Sequence, residues 1–287
     1  MKQQPIRLIS WNVAGRVAKQ AAQADHLSAL SPDIVALQEI TRRTQEQWHG
    51  ILESQLGLPH LADSFESAHD LSVLTGPRKY GQLFASRFPL RSLPPTDFPV
   101  PWPERVLSAV IDSPAGPIEA HTTHIPPGAT NEWIKIETLE GIARRLGRPH
   151  EGHRFLCGDF NLPQLEPLDE QTIYWDMQRR PDGSYRRRRK PRWGEGERGV
   201  HEGLATNDLC DAYRALHGRV DSDAYSWIPN HGKEPIPRRF DHLYASRSLG
   251  VIRCEYQHAP RLENLSDHSL VLAEFCPDRT LQCGLKA

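Results

Sequence analysis

From Leu71 to His124, short apolar segments follow one another so closely that no helix fits between them. Leu71 to Thr75, Gly81 to Ser86, Val106 to Asp112 and Ile118 to His124 read as strands, parted by proline-rich connections such as Leu93 to Pro103. Strands spaced this way pair antiparallel, because a parallel neighbour needs a crossover of about a dozen residues or more. On either side the pattern changes to strand and helix in turn. Ile6 to Val13 and Asp33 to Glu39 read as strands, with helices over Ala18 to Leu30 and Thr44 to Leu56. Thr130 to Gly147 carries Trp133, Ile136, Leu139, Ala143 and Leu146 at helical spacing, and a strand ending at Asp159 follows it. Leu204 to Leu216 reads as a helix; Tyr225 to Ile228, Phe240 to Ala245 and Ser269 to Phe275 read as strands. Two mainly antiparallel sheets packed face to face, with helices outside, satisfy this order of elements.

Residues 169–201 hold Arg186-Arg187-Arg188-Arg189-Lys190, several glycines and few apolar side chains, and are expected to form a long basic loop inserted in the domain. No linker divides the 287 residues, so a single domain over 1–287 is expected. The formal net charge of -1 gives no whole-chain attraction to a polyanion, so any basic surface must be local. No apolar run reaches the length of a membrane span, and Met1 to Ser10 lacks signal-peptide architecture. The five cysteines are scattered, without a Cys-x-x-Cys pair, which argues against a disulfide framework or a structural zinc site and for a cytoplasmic setting.

Phe155 to Pro163 is an apolar run that stops on Gly158-Asp159-Phe160-Asn161, placing a carboxylate and an amide side by side at a strand end. Alone, this is an Asx turn after a core strand. Other strands end the same way, on Asn12, Glu39, His124, Asp241 and Asp267-His268. Each has a plain reading, as a cap, a helix-opening acid or a surface polar pair. Turn chemistry does not account for all of them in one chain, whereas a site for a hard cation or a phosphate does.

Ser10-Trp11-Asn12-Val13-Ala14-Gly15, Leu37-Gln38-Glu39, Gly158-Asp159-Phe160-Asn161, Arg239-Phe240-Asp241-His242-Leu243 and Ser266-Asp267-His268-Ser269-Leu270-Val271 together resemble the ordered motif set of the endonuclease/exonuclease/phosphatase superfamily. Tyr80 to Arg87 and Asp211-Ala212-Tyr213-Arg214 resemble weaker motifs of the same family. The resemblance runs from about Ile6 to Phe275 and implies a four-layer α-β-β-α sandwich. It also implies hydrolysis of a phosphoester with Mg2+, or Mn2+, as cofactor. Glu39 would be the principal metal ligand, with Asn12 and Asp267 beside it. Asp159 would position or deprotonate the attacking water, and Asn161 would hold that water or a phosphate oxygen. His268 would contact the scissile phosphate or move a proton, oriented by Asp241, and His124 would donate a hydrogen bond to phosphate. Whether Asp159 or the His268–Asp241 pair takes the proton stays open at this level.

Three departures bear on substrate. Abasic-site enzymes of the family carry an acid where this chain has Ala14, a tryptophan where it has Arg238, and an aliphatic where it has Phe240. Trp227 keeps an aromatic near the pocket, so Trp227 and Arg238 are the candidate substrate contacts. The basic run with Trp193 nearby favours nucleic acid as substrate, through phosphate contacts and stacking. A metal-dependent phosphodiesterase, a nuclease acting on DNA or RNA, is therefore expected, with neither membrane nor obligate protein partner. The alternatives are a hydrolase of a small-molecule, lipid or sugar phosphoester, and a binding protein that has lost catalysis.

Overall fold

The computed structural model describes residues 4–281 apart from 69, 169–170, 220–222, 230–234, 278 and 280, so the start of the expected 169–201 loop lies outside the described residues. The chain begins with β1 (Ile6–Asn12), α1 (Gln20–Leu30) and β2 (Ile34–Thr41). β1 and β2 pair in parallel, and α1 is the crossover that this requires. α2 (Arg42–Ser54) starts at a capping box in which Thr41 and Thr44 satisfy each other's free groups. β3 (His60–Asp63), β4 (Tyr80–Ser86), β5 (Leu90–Ser92), β6 (Val106–Ser113) and β7 (Gly116–His124) follow, with only short turns and 3-10 segments between them. After α3 (Gly128–Asn131), α4 (Trp133–Leu146) is the second crossover, carrying the chain to β8 (His153–Asp159), parallel to β7. Then come a small hairpin of β9 (Met177–Arg179) and β10 (Tyr185–Arg187), α5 (Pro191–His201), β11 (Cys210–Asp211) and α6 (Ala212–His217). β12 (Asp241–Ala245), β13 (Val251–Gln257), α7 (Ala259–Leu262) and β14 (Leu270–Phe275) complete the described elements.

The strands form two six-stranded sheets, ordered β13-β14-β1-β2-β4-β3 and β11-β12-β8-β7-β6-β5. Alternation along β1 shows how they are layered. Ile6 and Leu8 face the second sheet, in one core with Leu107, Ile118, Phe155 and Leu243. Ile9 and Trp11 turn the other way, into a core with Leu27, Trp48 and Leu52 of α1 and α2. On the outer face of the second sheet, Leu156 and Tyr244 pack with Ile136, Leu139 and Ile142 of α4 and Trp193 and Val200 of α5. The result is the expected α-β-β-α sandwich.

Several local expectations change. Residues Leu71–Val73 form a 3-10 turn, with Asp70 accepting from the Ser72 backbone, in place of a strand. The expected Leu204–Leu216 helix is interrupted: a 3-10 turn closes at Asp208 in the left-handed region (φ 63), and β11 precedes α6. Trp227 makes isolated bridges to Arg238 and His268, not a Tyr225–Ile228 strand. The segment expected as a loop is largely ordered. α5 begins on Pro191 at its first turn and lies so close to its neighbours that a Cβ on Gly194 would come within 2.4 Å of Asp176 Oδ2, and one on Gly196 within 2.8 Å of Ile136. Cys157, Cys254 and Cys276 are free, but Cys210 is disulfide-bonded, against the expectation from scattered cysteines.

Candidate active site

Strand pairing builds the site as a row at one edge of the sandwich. The β7–β8 register sets His124 opposite Asp159, and the β12–β8 register sets Asp241 opposite Asp159 from the other side. In the first sheet β1 ends on Asn12. β2 does not stop at Glu39, as its polar character suggested; a bulge there puts Glu39 at φ 58 and aims its carboxylate off the strand. A non-glycine residue held in that region costs on the order of 1 kcal/mol or more and is retained where the surroundings dictate it. The turn before β14 supplies Asp267 and His268, tied to β1 because the Ser266 hydroxyl donates to the Asn12 carbonyl at 2.6 Å and the Trp11 indole to the His268 carbonyl at 3.1 Å.

Hydrogen bonds then join the sheets. Asn12 Nδ2 donates to Glu39 Oε1 at 3.1 Å and to Asp159 Oδ2 at 3.0 Å. Asp159 Oδ1 accepts from the Asn161 backbone at 2.9 Å. The Asn161 amide nitrogen is committed to the Ile125 carbonyl at 3.0 Å, leaving its oxygen as the acceptor for a water. Burial pushes the Asp159 carboxyl up to about 7; Asp241 and Glu39 add to the rise, and His268 opposes it. Glu39 is raised as well, by burial first and by Asp267, against the hydrogen bond from Asn12.

The two histidines are in opposite states. Arg105 donates to His124 Nδ1 at 2.6 Å, so the His124 proton sits on Nε2, which faces Glu39 Oε1 at 3.5 Å and Asp159 Oδ2 at 3.7 Å. Burial, then Arg105 and His268, hold the ring well below its ordinary pKa, so it is a neutral donor. His268 Nδ1 lies 2.7 Å from Asp241 Oδ2, and its Nε2 lies 3.8 Å from Asp159 Oδ2. Burial disfavours the charged ring, but Asp241 and Asp159 override it and raise its pKa, so His268 is an imidazolium at neutral pH.

A cavity of about 560 Å³ opens over this row, lined by Glu39, His124, Asp159, Asn161, Asp267 and His268. Its other wall carries Trp227 and Arg238, with Trp227 stacked on Phe240 (5.3 Å, 22°) and Arg238 over Trp175 at 4.7 Å. All the residues singled out from the sequence therefore border one space or the hydrogen bonds beneath it. Sequence reasoning missed Arg105 and Lys135. Lys135 is buried on α4, donates to the Asn161 carbonyl at 3.0 Å and pairs with Glu197 of α5, while the Trp175 indole donates to the same carbonyl at 3.0 Å. An isolated basic residue inside a predicted helix carries no signal for this.

Glu39, His124 and Asp159 each offer a ligand atom within 4.8 Å of the others, but the Arg105 bond leaves His124 presenting N–H and removes it from the donor set. What remains of that group is oxygen, from Glu39 and Asp159; the Asn12 side chain between them turns N–H to both and spends its own oxygen on the Ala14 backbone, while the Asp267 carboxylate borders the same cavity. Crowded carboxylates raised by burial are the environment that a hard, oxygen-ligated cation relieves.

Comparison with known proteins places these observations. Residues 9–268 match the Endonuclease/Exonuclease/phosphatase family, and the chain belongs to it. Its members are metal-dependent hydrolases of phosphoester bonds. Among solved structures the fold is similar to an AP endonuclease from Archaeoglobus fulgidus (TM-score 0.68, 19% identity, covering 94% of this chain and 99% of that one). It is also similar to the 3' phosphatase NExo from Neisseria bound to product DNA hairpin (0.62, 20%, 94% and 99%). A third likeness is to TDP2 from D. rerio complexed with single strand DNA product (0.63, 16%, 95% and 99%). At these identities the likeness shows the fold. A sequence comparison with curated proteins gives no match. No helix among the described residues is long and apolar enough to cross a membrane.

Proposed function

We propose that the protein is a magnesium-dependent phosphodiesterase that cleaves nucleic acid. The observation that carries this is the shared cavity: Arg188, Arg189 and Trp193 of the basic segment border the same space as Glu39, Asp159 and His268. Arg189 lies over the ring of the buried Trp193 at 3.6 Å, which seats its guanidinium at the cavity where a phosphate could be met. Glu39 and Asp267 would hold the metal ion, with Asn12 fixing the Glu39 carboxylate through its amide N–H; the ion, when bound, would neutralise charge developing on the phosphoryl and leaving oxygens. Asp159 is the better candidate for the base, because its raised pKa matches neutral-pH proton transfer. Asn161 orients the water, His124 donates Nε2–H to a phosphate oxygen, and the His268 imidazolium, fixed by Asp241, contacts the scissile phosphate.

Release of product from single- and double-stranded DNA and RNA with Mg2+ tests the proposal. Failure on all four, beside good turnover of a small phosphoester, would reassign the substrate to a small molecule. Replacing Arg188 and Arg189 together by alanine is expected to raise KM for an oligonucleotide with kcat retained, and to reduce the salt slope of binding by about one per arginine. Unchanged KM and slope would remove the basic segment from the substrate path.

Metal binding should depend on pH. Below about 7 Asp159 gains a proton and loses the charge that would draw the cation to Glu39 beside it, so affinity is expected to fall as pH drops below that value. Calorimetric titration of Mg2+ or Mn2+ over that range reads it. A flat affinity would show that Asp159 does not sense the ion.

A further inference from the structure

On the face of β12 turned away from the catalytic row, a second polar cluster lies under the end of α5. His201, the last residue of α5, and His242, next to Asp241, bring their rings to 5.3 Å. Both side chains are buried, with 5% exposure for His201 and none for His242.

Hydrogen-bond accounting fixes their tautomers. His242 Nε2 lies 2.8 Å from the Leu162 carbonyl, which only accepts, so that nitrogen carries the hydrogen. The Tyr174 hydroxyl spends its one proton on Glu202 Oε1 at 2.6 Å, so His201 Nδ1, 2.8 Å from the same oxygen, must donate to it. Each ring therefore turns its other nitrogen inward, and neither His201 Nε2 nor His242 Nδ1 makes a hydrogen bond among the described residues. These two atoms face carboxylates: His201 Nε2 is 3.5 Å from Glu166 Oε1, and His242 Nδ1 is 3.6 Å from Asp211 Oδ2. Lone pairs set against carboxylate oxygens require something cationic between them. Those separations are long for a hydrogen bond but close to the edge of a tetrahedron, about 3.3 Å for metal bonds of about 2.0–2.1 Å.

We propose that His201, His242 and Asp211, with Glu166 alongside, form a second metal site for a borderline ion of the zinc type, separate from the catalytic centre. His201, Asp211 and His242 each offer a ligand atom within 4.8 Å of the others. The Leu162 carbonyl and the Tyr174–Glu202 pair are the outer partners that metal-bound imidazoles use to hold their orientation. Arg239 donates to Glu166 and Asp211, and Arg214 to Glu166, so the carboxylates bring little net charge. That weighs against Mg2+ or Ca2+ and for an ion that accepts two neutral nitrogen donors. A separate cavity of about 300 Å³, bordered by Glu166, His201 and Asp211, gives entry and room for a water or anion as a further ligand. Such an ion would staple the end of α5 to the strand that carries Asp241.

The test is the metal content of protein made without a histidine tag, exposed to zinc and then dialysed. Wild type and Glu39→Gln, whose catalytic centre is impaired, are both expected to retain about one zinc per chain. His201→Gln and His242→Gln are expected to lose it and to lose the rise in Tm that zinc gives the wild type. Cobalt in place of zinc should give the visible absorption of a four-coordinate ion in wild type and not in His201→Gln. If His242→Gln does not fold, His201→Gln decides, with its fold checked by circular dichroism. No retained zinc in folded wild type would overturn the proposal and leave two imidazolium ions paired with the carboxylates. Retained zinc unaffected by His201→Gln would overturn it as well.

Discussion

Asp159→Asn is expected to lower kcat for phosphodiester hydrolysis by about 10³-fold or more, with KM for the substrate little changed. The new side chain can keep one of the two acceptor contacts, toward Asn12 or toward the Asn161 backbone, while the proton acceptor is gone. Stability is expected to move the other way. A carboxyl raised to about 7 by burial is one whose ionised form the folded, metal-free protein disfavours, so above that pH removing its charge relieves the fold. The metal-free variant should melt at or above the wild-type Tm at pH 8. Steady-state rates with Mg2+ and a thermal melt on the same preparation read both. Activity within tenfold of wild type would take the base away from Asp159.

Its neighbour gives the largest expected effect on the fold. Gly158 has φ +129, and a Cβ there would lie 2.0 Å from the Thr123 carbonyl oxygen of β7, its register partner. The obstruction is backbone, so no side chain can swing aside, and the parallel pair would have to part at the row holding His124 and Asp159. Gly158→Ala is expected to cost about 4 kcal/mol or more and to remove activity with it. Gly50 of α2, with nothing within 4 Å of a built Cβ, is the control, where alanine should stabilise by up to about 1 kcal/mol. Equal denaturant midpoints for the two variants would refute the account of the site's floor.

What was legible follows from this geometry. An apolar run that stops on a polar residue marks a strand end, and strand ends are where the pairing registers gather Asn12, His124, Asp159 and Asp241. Glu39 was found as a candidate although its strand continues past it, because a bulge produces the same polar interruption as an end. The segment before His201 misled for a physical reason. Glycine disfavours an isolated helix, so Pro191 to His201, with Gly194, Gly196 and Gly199, reads as loop; packing against Asp176 and Ile136 needs the absent side chains of Gly194 and Gly196. Arg105 and Lys135 were invisible because their roles are set by partners distant in sequence: the ring of His124, the carbonyl of Asn161 and the carboxylate of Glu197. β13 carries Arg253 and Glu255 between apolar residues, and such mixed alternation is common to edge strands and exposed loops alike.

The pairing of β14 with β1 has a consequence in time. Ser266 closes onto the Asn12 carbonyl across 254 residues, and His268 reaches Asp159 only once that return has been made. During synthesis at about 5–20 residues per second, Asn12 leaves the ribosome on the order of 10–50 s before the histidine that completes its site. A nascent chain exposing Glu39 and Asp159 thus lacks His268 and the antiparallel partner of its first strand. The row of site residues is therefore incomplete until β14 is in place.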